Sequence, residues 1–70
     1  MDDNVYAVTE VVGSSRNSIE EAIENAVATA SKTLRNVEWF EVGSTRGHVV
    51  DGTVAHYQVY VRLGFRYDKE

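Results

Sequence analysis

Cysteine and proline are both absent from the chain, and long apolar runs are absent too. Without cysteine, the chain forms neither a disulfide framework nor a thiolate metal site. No stretch approaches the roughly 20 apolar residues that a membrane-spanning helix needs. Residues 1–4 are acidic where a secretory signal peptide would be basic, and no apolar segment follows them. From these absences we expect a cytoplasmic protein with no membrane partner.

Basic residues are also few. Seven lysines and arginines stand against 11 aspartates and glutamates, which gives a net charge of -4. Nucleic acids and anionic membranes are bound through clustered Lys and Arg side chains, so this balance argues against both kinds of partner. A local arginine pocket for a small anion stays open.

The length of 70 residues allows one domain, 1–70, with an ordered core over about residues 5–67. A hydrophobic share of 43% and a charged share of 26% are typical of a globular rather than a disordered chain. At this size a core seldom supplies more than about 3–5 kcal/mol, and natural domains add disulfides, a metal or partner subunits. Two histidines are too few for a structural zinc site without carboxylate help. We therefore expect an oligomer.

The order of the predicted elements is strand, helix, strand, strand. Ser18 and Glu21 form a capping box at the start of an amphipathic helix, and Asn36 suits the left-handed position after its end. The Asp51-Gly52 pair is typical of a tight hairpin turn. This is an α+β fold, β-α-β-β, in which a three-stranded antiparallel sheet packs against one helix. The sequence predicts strands over residues 5–12, 37–48 and 53–67, a turn over 13–17 and a helix over 18–35.

Alternation assigns residues to the two faces of the sheet. Phe40 and Val42 share a parity that suits the core, so Trp39 points to the face away from the helix. The first strand is apolar on both faces, which indicates a subunit contact because one helix covers only one face. In the last strand, the predicted core face carries Tyr57, Val59, Val61, Leu63, Phe65 and Tyr67, and the polar face carries His56, Gln58, Tyr60, Arg62 and Arg66.

Trp39 and Gln58 form the candidate binding site. An outward tryptophan is suited to a subunit interface, where Trp is enriched, or to a stacking platform for a planar ligand. The Gln58 amide, with two donors and one acceptor, can bond the edge of a pyrimidine-like ring, or it is simply a solvated polar side chain. On neighbouring strands, the two residues are a candidate floor and edge for a heterocycle.

Arg46 and Arg66 are candidate anion ligands. Arg66 shares the face of Gln58, and a guanidinium can bind a phosphate bidentately. Arg46 has the parity of Phe40, so it reaches that face only if a bulge shifts the strand, for which Gly43 is a candidate position. A solvated side chain or a surface ion pair is the alternative for each arginine.

No group of residues predicts catalysis. Ser44, His48 and Asp51 are the residue types of a triad, but they crowd around one strand end with no nucleophile elbow. Neither a P-loop nor a Gly-rich dinucleotide motif is present. His48 and His56 form at best a weak two-ligand metal site. We expect neither an enzyme nor a metal centre.

Five short motifs in sequence resemble the bacterial dodecins. The resemblance runs from about Tyr6 to Tyr67, nearly the whole chain, with the same order of elements. The motifs are Val12-Gly13-Ser14-Ser15, Trp39-Phe40-Glu41-Val42, Thr45-Arg46-Gly47-His48, Val54-Ala55-His56-Tyr57-Gln58-Val59 and Gly64-Phe65-Arg66.

This resemblance implies a hollow homododecamer in which each sheet partly wraps its own helix. It also implies that FMN or riboflavin is bound in stacked pairs between symmetry-related tryptophans, for storage and sequestration with quenched photochemistry. Trp39 matches the sandwiching tryptophan, Gln58 the glutamine at the pyrimidine edge, and Arg46 and Arg66 arginines near the flavin. Some bacterial members also hold coenzyme A.

Two alternatives to flavin storage stay open. In one, the chain is an assembly protein whose main ligand is coenzyme A or none, and Trp39 serves only the subunit interface. In the other, flavin-dependent catalysis, a sandwiched ring leaves little room for a substrate.

Overall fold

The computed structural model describes residues 3–67 and has the β-α-β-β order that the sequence predicts. The strands form one antiparallel sheet in the order β1-β3-β2, so the last strand lies in the middle. The helix packs on one face of this sheet. In residues 3–67 no helix is long and apolar enough to cross a membrane. The elements are β1 (Tyr6–Ser15), α1 (Ile19–Ala30), β2 (Val37–Val50) and β3 (Thr53–Arg66).

The core lies between the central strand and one face of the helix. It consists of alternate residues of β3 and of alanines one turn apart on α1, which confirms the predicted alternation of β3 at Val59, Val61 and Leu63. Tyr67, predicted on the same core face, lies beyond the end of β3 and is largely exposed. Small side chains on the helix let the helix lie close to the sheet. The buried hydrophobic residues are Ala22, Ala26, Ala30, Val59, Val61 and Leu63.

The helix begins as predicted, but its cap differs in one half. Ser18 is extended (φ −165°, ψ 164°), and its Oγ accepts a hydrogen bond from the Glu21 amide at 3.0 Å. The reciprocal bond of a capping box is not made. The Ser18 amide donates instead to Ser15 Oγ (3.3 Å), and the Glu21 carboxylate accepts from Asn17 Nδ2 (2.7 Å).

The helix ends at Ala30, five residues before the predicted end at residue 35. The Lys32 and Thr33 amides bond three residues back, to Thr29 (3.2 Å) and Ala30 (3.1 Å), which tightens the backbone into turns. Thr33 Oγ1 also donates to the Ala30 carbonyl (3.3 Å), an alternative partner that favours leaving the helix. Asn36 then takes the predicted left-handed conformation (φ 64°) before β2.

The turn predicted over residues 13–17 is wrong in its first half, because β1 continues to Ser15. Gly13, Ser14 and Ser15 pair with β3 in register. Gly13 serves packing here: a Cβ at this position would overlap the Ala22 carbonyl oxygen and lie 2.9 Å from the Ala26 Cβ. Only a residue without a side chain lets α1 cross β1 this closely.

The β2–β3 hairpin is the longest feature of the fold. Its turn is at Asp51 (φ 53°) and Gly52 (φ 74°), the positive values of a tight hairpin turn, as predicted. Pairing with β1 stops at Tyr57, so the end of the hairpin pairs only with itself. The exposed apolar side chains at this end are Val49, Val50 and Val54.

Phe40 and Val42 of β2 are exposed, although the sequence predicts core positions for them. Phe40 is 52% exposed and Val42 38%. The cause is the width of the sheet: the 12-residue helix covers β1 and β3, while β2, at the far edge, is left largely uncovered.

Candidate functional site

The sheet face opposite the helix carries every predicted site residue. Trp39 is directly opposite Gly64 of β3, and Val8 of β1 is opposite Gly64 on its other side. The indole lies on Gly64, because a Cβ built there would overlap the indole ring. A register shift between Val37 and Trp39 sets this alignment. Trp39 is therefore an outward ring on a fixed floor, and it stays 41% exposed.

A polar cluster surrounds Trp39 at this end of the sheet. Arg66 Nη1 donates to Glu38 Oε2 at 2.7 Å, and Arg66 Nη2 donates to Asn36 Oδ1 at 3.4 Å. Tyr6 donates from its hydroxyl to Glu38 Oε1 at 3.1 Å, and the Tyr6 and Trp39 rings are tilted by 59° with centroids 6.4 Å apart. Arg66 is thus two residues along β3 from Gly64, with its guanidinium already paired to Glu38 and Asn36.

Gln58 and Arg46 are directly opposite each other at the other end of the same face. A register shift between Val42 and Thr45 places Arg46 there, which confirms the predicted bulge around Gly43. Arg46 Nη2 donates to the Tyr60 hydroxyl at 2.8 Å, and its guanidinium carbon lies 4.9 Å from the centre of that ring. Gln58 Nε2 makes only a long bond, 3.5 Å, to Ser14 Oγ.

One subunit does not bring Trp39 and Gln58 together. Trp39 is at the level of Gly64, six residues from Gln58 along β3, which is about 20 Å at ~3.3 Å per residue. This distance exceeds the width of a fused three-ring heterocycle. Trp39 and Gln58 are thus on neighbouring strands and on the same face, as predicted from parity, but a single chain does not place them around one ring.

Arg62 lies on β3 between Gly64, which is opposite Trp39, and Gln58, which is opposite Arg46. Its Nη1 donates to Glu10 Oε2 at 3.3 Å and its Nε to Glu41 Oε1 at 3.2 Å, so it links all three strands. The sequence predicts Arg62 only as one polar residue of the face. The opposite charges of Glu10 and Glu41 could have predicted the ion pairs of Arg62. To recognise these pairs in the sequence, however, one must already know the register of all three strands.

One groove lies on the helix side of the sheet, away from the predicted site residues. It has a volume of about 470 Å³ and an apolar lining from the outer side of α1 and from Phe40. We assign the candidate binding site to the opposite face all the same, because the groove offers apolar surface with two glutamates and no donor for a heterocycle edge. Its lining residues are Glu20, Ile23, Glu24, Val27, Ala28 and Phe40.

The two histidines are opposite each other near the hairpin turn. The His48 and His56 rings are nearly parallel (27°), with centroids 5.0 Å apart. Among residues 3–67, no group of three or more His, Cys, Asp or Glu side chains is placed to hold a metal ion. His48 and His56 are thus two potential metal ligands, and the described residues place no third ligand beside them.

Comparison with known proteins gives one consistent result. The family model described as Dodecin matches residues 5–68. The chain is 50% identical to the dodecin of Streptomyces coelicolor, with a TM-score of 0.93 and full coverage of both chains. It is 44% identical to that of Streptomyces davaonensis, with a TM-score of 0.92 and coverage of 97% and 100%. A curated dodecin of Thermus thermophilus is 45% identical over 65 residues, 93% of this chain and 94% of the relative.

Proposed function

The chain belongs to the dodecin family, and we propose that it binds and stores FMN or riboflavin as a homododecamer, without acting as an enzyme. The observation that carries the proposal is Trp39, whose indole is held on Gly64 yet remains 41% exposed. A rigid, exposed aromatic face is what a stacked planar ligand requires.

The polar residues on the same face of the sheet have the groups that a flavin requires. The Gln58 amide has donors and an acceptor for the pyrimidine edge of the ring system, and its one bond within the subunit is long. The guanidinium groups of Arg46 and Arg66 are cations for the FMN phosphate. A bound flavin supplies an excited state that accepts an electron from a stacked indole, so binding quenches its fluorescence.

The separation of the two site halves favours binding between subunits. Because Trp39 and Gln58 are about 20 Å apart along β3, a single ring contacts both only if each comes from a different copy. The site then exists only in the assembly, and the proposed stacking of two rings between two tryptophans has the same requirement.

Exposed apolar side chains on both faces support the assembly. Val8 and Val12 lie on the outward face of β1, and Phe40 and Val42 on the helix side of β2, all more than a third exposed. Six hydrophobic residues are buried in the part of the chain that the structure describes, so covering these surfaces with partner subunits supplies the burial that a domain of this size lacks.

The test is an FMN fluorescence titration of flavin-free protein with sizing of the same sample. We expect quenching that saturates near one flavin per subunit, on a particle of about twelve subunits. Trp39→Ala should weaken binding by about tenfold to a hundredfold, the value of one lost stacking contact of ~1–3 kcal/mol. Tyr57→Phe, which removes a hydroxyl on the helix side of the sheet, is the matched control and should bind as the parent does.

Other results would redirect the proposal. A twelve-subunit particle that leaves FMN fluorescence unchanged would favour coenzyme A, or assembly alone, as the function. A Trp39→Ala variant with full affinity would exclude stacking on that residue. The proposal includes the cytoplasmic location expected from the sequence, which cell fractionation measures.

A further inference from the structure

Trp39 has an aromatic neighbour whose hydroxyl is bonded to a carboxylate. The Tyr6 and Trp39 ring centroids are 6.4 Å apart, a separation at which aromatic side chains are in edge contact. The Tyr6 hydroxyl donates to Glu38 Oε1 at 3.1 Å. Glu38 is held from its other oxygen by Arg66, at 2.7 Å from Nη1 to Oε2. Tyr6 and Trp39, two side chains that oxidise readily, are thus neighbours, and Glu38 is in place to accept the proton of the Tyr6 hydroxyl.

We propose that Tyr6 is an electron donor that restores oxidised Trp39, with Glu38 as the acceptor of its proton. Trp39 loses one electron to a photoexcited flavin stacked on it, or to another one-electron oxidant, and becomes a radical cation. Tyr6 transfers one electron to the indole, its O–H bond breaks, and the proton passes to Glu38 Oε1. The products are neutral Trp39, a Tyr6 phenoxyl radical and protonated Glu38, so charge and electrons balance.

The hydrogen bond makes this direction favourable. An oxidised phenol that keeps its proton is a very strong acid, so removal of the electron is much easier when a base takes the proton in the same step. The Arg66 ion pair fixes Glu38 so that Oε1 faces the phenol. When the oxidant that was reduced in the first step returns its electron to Tyr6, the proton returns from Glu38 to the phenoxyl oxygen and the starting state is restored.

Within residues 3–67, Tyr6 is the only one of the four tyrosines whose hydroxyl bonds a carboxylate. Tyr60 is opposite Val12, four residues from Gly64 and therefore about 13 Å from the level of the indole. The Tyr60 hydroxyl is bonded to the Arg46 guanidinium, which cannot accept a proton. Tyr57 has the opposite parity on β3 and therefore lies on the helix side of the sheet.

The consequence is protection of the binding platform. The chain has one tryptophan, so irreversible oxidation of Trp39 would remove the only indole. In its use of a flavin as the oxidant, the inference rests on the proposed function. The electron transfer from Tyr6 to Trp39 depends only on the chain and is measured without a flavin.

The test is pulse radiolysis of the ligand-free protein with azide radicals, which oxidise tryptophan in preference to tyrosine at neutral pH. We expect the indolyl absorbance to decay while tyrosyl absorbance grows at the same first-order rate, independent of protein concentration. Tyr6→Phe should remove this growth, and Tyr60→Phe should leave it unchanged. Glu38→Gln, which keeps an acceptor oxygen but is a poor base, should slow the growth by about tenfold or more.

Two results would overturn the proposal: an indolyl radical that decays without tyrosyl growth in the parent, or growth that persists in Tyr6→Phe. A second arm uses FMN and light, with oxidised Trp39 measured by mass spectrometry; Tyr6→Phe should accumulate it several-fold faster than Tyr57→Phe, whose ring lies on the helix side of the sheet. If FMN fails to bind, the proposed function fails, and the radiolysis arm still decides the role of Tyr6.

Discussion

Replacing Gly64 with alanine tests whether the indole of Trp39 depends on a bare backbone floor. The new Cβ would occupy the space of the ring, so either the indole or the strand must move. A tryptophan buries about 150–250 Å² when fully covered. Since Trp39 is 41% exposed, its surroundings cover on the order of 100–150 Å² of it. At ~25 cal/mol per Å², complete displacement costs about 3 kcal/mol, and partial displacement costs about 1–3 kcal/mol.

The assay uses the single tryptophan as its own reporter. Trp39 fluorescence should shift to longer wavelength in Gly64→Ala, and the free energy of unfolding should fall by about 1–3 kcal/mol at matched protein concentration. FMN binding should weaken together with the shift. Gly43→Ala is the control, because its Cβ would meet Tyr60 Cβ at 3.4 Å, an ordinary contact. We expect that variant to stay within about 0.5 kcal/mol of the parent.

One outcome would refute the reasoning. If Gly64→Ala keeps both the emission wavelength and the stability of the parent, the indole does not lie on Gly64, and the exposed fraction of Trp39 has another cause. Loss of FMN affinity with unchanged emission would instead place the effect of Gly64 on the ligand itself.

Three further predictions concern the packing that supports the site, each measured by denaturant unfolding followed by circular dichroism. Gly13→Ala should cost about 2–3 kcal/mol or more, because its Cβ overlaps the Ala22 carbonyl; a neutral result would contradict the close crossing of α1 over β1. Leu63→Ala, at a fully buried position, should lower the free energy of unfolding by about 2–5 kcal/mol. A smaller decrease would mean that the Leu63 side chain is less enclosed than the structure shows. Ser18→Ala should cost about 1 kcal/mol and Ser18→Gly a few tenths, so equal losses would argue against an N-cap bond.

Local rules predict most of the fold from the sequence. The period-2 pattern of β3 identifies its core side because the central strand is covered on that face by the helix. The hairpin turn follows from the conformational freedom of Asp51-Gly52, and the left-handed Asn36 from the same kind of argument. The outward position of Trp39 follows from parity, whereas Arg46 lies outward only because of the bulge for which Gly43 is the candidate position in the sequence. Each of these depends on residues adjacent in the chain or on one neighbouring strand.

The errors come from contacts between distant segments. Gly13 and Ser14 have turn composition, but pairing with β3 and the crossing of α1 keep them in a strand. Phe40 has core parity, yet the helix does not extend over β2. The distance between Trp39 and Gln58 depends on the register of β2 against β3, including its shifts, and composition does not determine that register.

That distance has a consequence for the proposed function. A ligand that contacts Trp39 of one copy and Gln58 of another binds only the assembled protein, so binding and assembly share one equilibrium. Ligand at 100 times its dissociation constant then stabilises the assembly by about 2.7 kcal/mol per site. FMN should therefore lower the protein concentration at which the particle dissociates, and Trp39→Ala should abolish that effect even if the variant still assembles. The contradicting result is a parent that binds FMN tightly but dissociates at a protein concentration independent of FMN. Such a parent would bind the ligand within one subunit, so a shared Trp39–Gln58 site, argued from the register of β2 and β3, would be refuted.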